Sequence, residues 1–422
     1  MIKKILTYSF GEILVKGSAF LAIPIYSYLI LPIEYGTLGF LNALVAFLPF
    51  IFTLYYLYAF VRFSVETEEK RLISTFFYLG IFLNIFYLIS ALIVYSIFIK
   101  YYDIALKYFI LSILGSSLVF VFQILQLYYR SKGSSKLYIR ISVSYSLVGL
   151  CLNFLFLLLL DDNVLAMLLS AMSTSIIATL FAYKILFHNI KWKLFDLSLV
   201  SKILKYSIPL VPGAIALLMF SQSDKIILIN YISKEELGIY TLAFTIGLSM
   251  AYIGNAFFMA YQPIFYDKLS KGLSKEIENG YWKILVFLLL ALLLSFWAIF
   301  IVYQIINIKY IEGFKLSLII ALAYCFVAFS QIMELHLTYM KKTSIVSIVY
   351  GFGGILTIST LFILIPLMGT KGAALSLFIS AFIISVFMYN TAQKYLFISY
   401  NKFYVLFFYL FMLSIGGFIL WI

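Results

Sequence analysis

Long apolar runs, broken by short polar interruptions, fill this chain from one end to the other. Crossing the hydrocarbon core of a bilayer as a helix takes roughly 17–25 apolar residues. Segments near 8–31, 37–61, 72–99, 104–129, 139–160 and 164–187 meet that length. A second series follows near 206–231, 238–262, 283–306, 314–340, 345–366 and 372–397, and a last segment runs near 403–422. The pattern predicts an all-α integral membrane protein, because a chain in lipid must satisfy its backbone polar groups internally. Glu12 and Lys16 interrupt the first apolar stretch, which continues to Leu31. A cleaved signal has a shorter, uncharged core, so this stretch is read as a retained first span.

Composition agrees with the pattern. Of 422 residues, 64% are hydrophobic and only 11% charged, with a mean hydropathy of +1.08. A soluble domain needs about 25% charged residues to face water. The formal charge of +13 would suit a nucleic-acid binder. Here, however, the basic residues sit in the short connections between apolar runs, where they orient a membrane protein. With Lys3 and Lys4 in the cytoplasm and sides alternating, 22 Lys and Arg fall inside and 6 outside. A missed or invented span in the middle would scramble that ratio. The expectation is a multi-pass protein of the bacterial inner membrane with a cytoplasmic N-terminus, in contact with membrane lipids and with no nucleic-acid partner. Cys151 and Cys325 lie inside apolar runs and show neither metal spacing nor a disulfide framework.

The chain repeats itself. Pro32-Ile33-Glu34-Tyr35-Gly36 follows the first span, and Lys234-Glu235-Glu236-Leu237-Gly238 follows the seventh, at an offset of 202. Gln123-Ile124-Leu125-Gln126-Leu127 ends the fourth span, and Gln331-Ile332-Met333-Glu334-Leu335 ends the tenth, at an offset of 208. Two such matches at nearly one offset predict a duplication of six spans. An even number of spans makes the halves parallel, as two six-helix lobes around a central cavity with one extra C-terminal helix. The expected bounds are 1–190 and 206–400 for the lobes, 191–205 for a cytoplasmic linker and 401–422 for the additional span.

A charge at a helix centre costs about 2.5–3.5 kcal/mol on insertion scales and therefore needs a reason. Glu12 and Lys16 share one helix face four residues apart, either as a self-neutralising couple or with Lys16 facing an anionic substrate. Ser221-Gln222-Ser223-Asp224-Lys225 puts five polar residues around a whole helix circumference, so part of that ring must face protein or water. Asp224 and Lys225 point about 100° apart and are not expected to be a simple mutual pair. Glu334, with His336 beside it, lies near the inner end of the tenth span. Arg62 closes the second. Pro24, Pro49, Pro209 and Pro212 are expected to bend the first, second and seventh spans. No phosphate-binding glycine loop, nucleophile elbow or metal cluster stands out, and no external segment is long enough for a catalytic domain.

Tyr206-Ser207-Ile208-Pro209-Leu210-Val211-Pro212, Ser223-Asp224-Lys225-Ile226-Ile227-Leu228 and Glu236-Leu237-Gly238-Ile239-Tyr240 follow one another in the second half. With Glu34-Tyr35-Gly36, Arg62-Phe63 and Gly369-Thr370-Lys371-Gly372-Ala373-Ala374, they make the chain resemble the bacterial polysaccharide-biosynthesis flippases over essentially its whole length. Their superfamily includes multidrug/toxin exporters and the peptidoglycan lipid II flippase. The resemblance implies a non-enzymatic transporter that needs no cofactor. It moves undecaprenyl-diphosphate-linked oligosaccharide repeat units, of the O-antigen, lipopolysaccharide or capsule kind, by alternating access. A polysaccharide polymerase and a chain-length regulator are the protein partners it implies. Lys16, Arg62, Gln222 and Lys225 are then candidate contacts for the diphosphate and sugars. Glu12, Asp224 and Glu334 are candidates for a coupling proton or cation. Carboxylates in the core equally suit a multidrug or organic-cation antiporter of the same superfamily. A polysaccharide polymerase or ligase is the third reading.

Overall fold

The structure, a computed structural model, describes residue 17 and residues 20–421. The described chain is helical throughout, with twelve helices long and apolar enough to cross a membrane and a shorter apolar helix, α1, at Phe20–Leu29. In the first half follow α2 (Pro32–Phe52), α3 (Phe60–Phe63), α4 (Glu69–Ile97), α5 (Leu106–Leu118), α6 (Phe120–Ser131), α7 (Ser135–Leu159) and α8 (Asn163–Leu186). Then come α9 (Leu197–Ser207), α10 (Val211–Leu228), α11 (Lys234–Gly247), α12 (Ser249–Ser270) and α13 (Ser274–Ile305). The last four are α14 (Phe314–Tyr339), α15 (Thr343–Met368), α16 (Thr370–Tyr395) and α17 (Lys402–Trp421).

Two expected spans differ from simple rods. The second stops at Phe52; Leu54 and Tyr55 then adopt left-handed φ of 55° and 52°, before a 3-10 turn at Tyr56–Ala59 and the short α3. Pro49 withdraws one backbone donor from the last turn of α2, and its carbonyl accepts both the Thr53 N–H at 2.8 Å and the Thr53 hydroxyl at 2.6 Å. That closes the helix and lets the chain turn. The seventh is preceded by α9, which buries Leu199, Ile203 and Ser207 on one stripe and turns Lys202 and Lys205 outward. Pro209 then falls in a 3-10 turn, Ile208–Leu210, between α9 and α10.

The helices form two compact units. The described residues up to Gly36 and those from Met219 onward make unit 1, and Thr37–Leu218 makes unit 2. In unit 1, α14 is the central helix, with α11, α12, α13, α15, α16 and α17 packed on it. Small residues permit this, since close van der Waals packing is what joins helices in lipid. A Cβ on Gly247 would stand 2.9 Å from the Ser317 carbonyl oxygen, and one on Gly254 would stand 2.7 Å from the Ala328 Cβ. The Ser317 hydroxyl donates to the Ala243 carbonyl at 3.0 Å and pairs with the Tyr303 hydroxyl at 2.9 Å.

The segment ending at Gly36 belongs to unit 1 because its bonds lie there. The Asn307 N–H donates to the Ser27 hydroxyl at 3.0 Å, and the Tyr310 hydroxyl donates to the Ile30 carbonyl at 2.8 Å. The first turn of α2 also meets the first turn of α11 reciprocally. A Cβ on Gly36 would sit 1.9 Å from the Lys234 carbonyl oxygen, and one on Gly238 would sit 1.7 Å from the Pro32 carbonyl oxygen. Both pairs relate by the offset of 202 that marks the duplication. The caps correspond as well: Glu34 accepts from the Leu31 N–H at 2.7 Å, and Glu236 accepts from the Ser233 N–H at 3.0 Å. At the offset of 208, Gln126 donates to the Ser142 hydroxyl at 2.9 Å, and Glu334 accepts from the Tyr350 hydroxyl at 3.0 Å.

In unit 2, α5, α6 and α7 pack on α8, and the core collects Phe60, Phe76, Ile124, Leu125, Ala182 and Ile203. The connection from α8 to α9 is fastened to α4. The Ser74 hydroxyl donates to the Asn189 carbonyl at 2.8 Å and accepts from the Lys191 N–H at 3.0 Å. Arg71 pairs with Asp196, whose carboxylate also caps α9 by accepting from the Ser198 N–H at 2.8 Å. Partial burial works against the ionised form of Asp196, but the bonds from Ser198, Arg71 and the Leu199 N–H outweigh it and hold the carboxyl down at about 2. A depressed carboxyl contributes stability that is complete above its ordinary value of 3.8 and is lost as pH falls through about 2. Thermal unfolding between those pH values should therefore show an acid-side decline in the wild type that Asp196→Asn flattens. An unchanged slope in the variant would remove Asp196 as its cause.

Candidate functional site

The charged part of the polar ring on α10 is buried in unit 1. Ser223, Asp224 and Lys225 are buried, while Ser221 and Gln222 are half-buried. Lipid cannot satisfy the two charges, and neighbouring side chains do. The Asp224 carboxylate accepts from the Tyr240 hydroxyl at 2.6 Å through Oδ2. Its Oδ1 accepts from the Lys225 N–H at 2.8 Å and from the Lys225 ammonium at 3.3 Å. The expectation that Asp224 and Lys225 are not a mutual pair is thus corrected. Their Cα–Cβ bonds do diverge, but the four-carbon lysine stem curls back to its neighbour. The Ser223 hydroxyl turns inward along α10 and donates to the Met219 carbonyl.

Aromatic rings complete this knot. The Lys225 ammonium lies 3.6 Å from the centre of the Phe244 ring and 6.0 Å from that of Tyr240. Tyr324 stands edge-on to both Phe244 and Phe220, at 6.3 and 6.4 Å between ring centres. One ion pair, one phenol and a set of π faces therefore hold a full positive and a full negative charge away from lipid. Buried ions must be paired in this way, because removing either partner leaves a bare charge. The arrangement can exchange partners: a proton or cation on Asp224 would release Lys225, and an anion on Lys225 would release Asp224.

The other candidate residues lie elsewhere. Glu334 on α14 is half-buried and turned toward α15, where it meets Tyr350. His336, two positions on, points to another side of α14: its Nε2 pairs with the Tyr400 hydroxyl at 2.8 Å, and its ring packs 5.0 Å from Phe265. The two do not form one site. Arg62, in unit 2, is half-exposed and pairs with Glu66 at 2.6 Å. Gln222 stands about 200° around α10 from Asp224. Glu12 and Lys16 lie outside the described residues. Sequence reasoning missed Tyr240, Phe244 and Tyr324 as the walls of the knot. Spacing on α10 carries no signal of which aromatics on α11 and α14 approach it.

The chain matches the family model described as "Polysaccharide biosynthesis protein" over residues 1–269. No match to the sequence emerges among curated proteins. Among solved structures, the fold is similar to an inward-facing multidrug resistance MATE family transporter of the MOP superfamily. That likeness has a TM-score of 0.71 at 12% identity and covers 93% of this chain and 94% of that one. A MOP superfamily transporter from Pyrococcus furiosus, described as having a binding pocket of reversed polarity, is similar with a TM-score of 0.60 at 14% identity over 93% and 95% of the two chains. An outward-facing MATE transporter is similar at 0.57 and 15% identity, with the same coverage. The protein is thus a multi-pass membrane protein with the transporter fold of these structures, and by its sequence it belongs to the polysaccharide biosynthesis protein family.

Proposed function

We propose that this protein is a flippase that carries undecaprenyl-diphosphate-linked oligosaccharides across the bacterial inner membrane by alternating access. The observation that carries this reading is the family match over residues 1–269 in a chain with a MATE-like transporter fold. The duplication supports it, since caps, close glycine contacts and an inter-helix hydrogen bond recur in both halves at offsets of 202 and 208. In this reading the halves 1–190 and 206–400 are the functional repeats, joined through 191–205 and followed by 401–422. The N-terminus is cytoplasmic, as the loop charges favour.

Lys16, Arg62, Gln222 and Lys225 serve as substrate contacts, and Glu12, Asp224 and Glu334 as coupling groups. For Lys225 this requires an exchange of partners, because its ammonium is held by Asp224 and Phe244 in this structure. Membrane lipids surround the protein, and a polysaccharide polymerase would take up the delivered units.

Deletion of the gene tests the proposal. Loss of surface polysaccharide, with lipid-linked repeat units accumulating on the cytoplasmic leaflet and recovery on re-expression, is the expected outcome. Intact polysaccharide together with hypersensitivity to cationic dyes would assign the protein to drug or cation export instead. Carboxylates such as Asp224 and Glu334 in unit 1 would suit that second reading.

A further inference from the structure

The break after α2 opens a cavity inside unit 2. Its volume is about 310 Å³, at the lower end of small-molecule sites, and it is bounded by α2, the 3-10 turn that follows, α6 and α7. Tyr55, Tyr58, Tyr138, Gln123, Gln126 and Arg130 line it with polar or aromatic groups, and among the described residues no carboxylate lines it. In unit 1 the corresponding stretch is the unbroken α12. There the Gln331 amide donates to Asn255 at 2.8 Å, and Phe257 stacks on Phe287 with ring centres 4.3 Å apart. Gln123 and Thr53, the positions matching Gln331 and Asn255 at the two offsets, both line the cavity instead.

Each feature of the lining points to one chemistry. Tyr55 and Tyr58 stack with ring centres 5.0 Å apart at 28°, and Tyr58 is 53% exposed, so an aromatic face is open. Such a face takes the C–H side of a pyranose. Gln123 is exposed in the interior of a membrane span, where lipid offers no partner for a carboxamide. Gln126 stands one turn on, with its amide on Ser142 and its carbonyl oxygen left to accept from a hydroxyl. One further turn along α6, at the end that the loop charges favour as cytoplasmic, stands the exposed guanidinium of Arg130. The guanidinium fork of arginine matches the paired oxygens of a phosphate, and none of the ion pairs among the described residues engages Arg130, Glu69 at this end of α6 pairing with Lys132 instead. The left-handed Leu54 and Tyr55 fit the same view, because strained non-glycine backbone concentrates at ligand sites.

We propose that this cavity is a glycosyl-phosphate subsite: the sugar ring rests on Tyr55 and Tyr58, its hydroxyls meet Gln123 and Gln126, and its phosphate meets Arg130. The inference rests on the flippase reading and deepens it. It gives the first sugar and adjoining phosphate of a lipid-linked chain a place in unit 2, reached from the interface where a lipid phosphate resides.

The test uses the full-length protein in detergent or nanodiscs, with glucose 1-phosphate and N-acetylglucosamine 1-phosphate as probes and inorganic phosphate and methyl glucoside as controls. Saturation-transfer NMR should show transfer to the sugar phosphates. Gln123→Ala should weaken binding about tenfold, the value of one good hydrogen bond to a substrate. Arg130→Gln should weaken the sugar phosphates more and leave methyl glucoside unchanged, and Tyr58→Leu should remove ring-to-sugar transfer. Gln123→Glu, which keeps shape but repels phosphate, is the second variant should Gln123→Ala fold poorly. Wild-type protein without transfer to either sugar phosphate, variants that bind as wild type, or inorganic phosphate competing as well as the sugar phosphates would each overturn the subsite. Loss of binding in the variants with unimpaired export of surface polysaccharide would overturn its role in transport. A wild-type protein that binds sugar phosphates yet does not restore export would instead defeat the flippase reading and leave the subsite standing.

Discussion

Asp224→Ala will destabilise the protein by about 3–5 kcal/mol, the cost of leaving one partner of a buried ion pair alone. Asp224 and Lys225 are 6% and 4% exposed, and their 3.3 Å contact is wrapped by Tyr240 and Phe244. Without the carboxylate, the lysine ammonium keeps only the Phe244 and Tyr240 ring faces, and the Tyr240 hydroxyl loses its acceptor. Adding Lys225→Met should restore part of the lost stability, since it removes the unpaired buried charge while the Tyr240 hydroxyl stays without its acceptor. Thermal unfolding in detergent measures both effects. A double variant no more stable than Asp224→Ala would show that the pair is not the source of the loss. Export separates structure from transport: if partner exchange between Asp224 and Lys225 is used, the double variant stays folded yet fails to restore surface polysaccharide. Full export by the double variant would relieve both residues of any transport role.

The second large effect is expected at the reciprocal glycines. Gly36→Ala and Gly238→Ala each place a Cβ less than 2 Å from a carbonyl oxygen of the facing helix, at 1.9 and 1.7 Å. A backbone oxygen has no rotamer by which to yield, so the two helix starts must separate. Overpacking typically costs about 1–3 kcal/mol and more where backbone must move, so a loss of about 3 kcal/mol is expected for each. The two variants should behave alike, because the contact is the same one read from either side. Gly351→Ala, where a Cβ meets nothing within 4 Å, is the control and should change little. Equal unfolding temperatures for all three variants would mean that the close approach contributes nothing.

Much of this was legible in the residues. A run of apolar residues long enough to cross lipid has few other uses, so the all-helical membrane class follows from composition and spacing alone. The duplication was legible too, because Glu34 with Gly36 and Glu236 with Gly238 each do a local task at a helix start: the carboxylate caps it and the glycine permits close approach. Asp224 and Lys225 were visible as buried charges by their place in an apolar run. Their mutual bond was not, because helix angles describe where Cβ points and not where a long flexible side chain ends. His336 and Glu334 looked like one cluster in the sequence and part company on the helix.

The break after α2 shows the boundary most clearly. Pro49 announces a weakened helix, yet nothing local demands left-handed φ at Leu54 and Tyr55, where neither side chain favours it. The turn carries Tyr56 and Phe60 into the core of unit 2 and borders the cavity lined by Gln123 and Arg130. The sequence by itself determined the solvent of this protein, its helices, its doubling and which residues are costly enough to need partners, since hydropathy, capping and glycine geometry act within a few residues. The tertiary structure alone decided who those partners are, which face opens into a cavity and where the two halves depart from each other. Such choices depend on side chains hundreds of positions apart meeting in space.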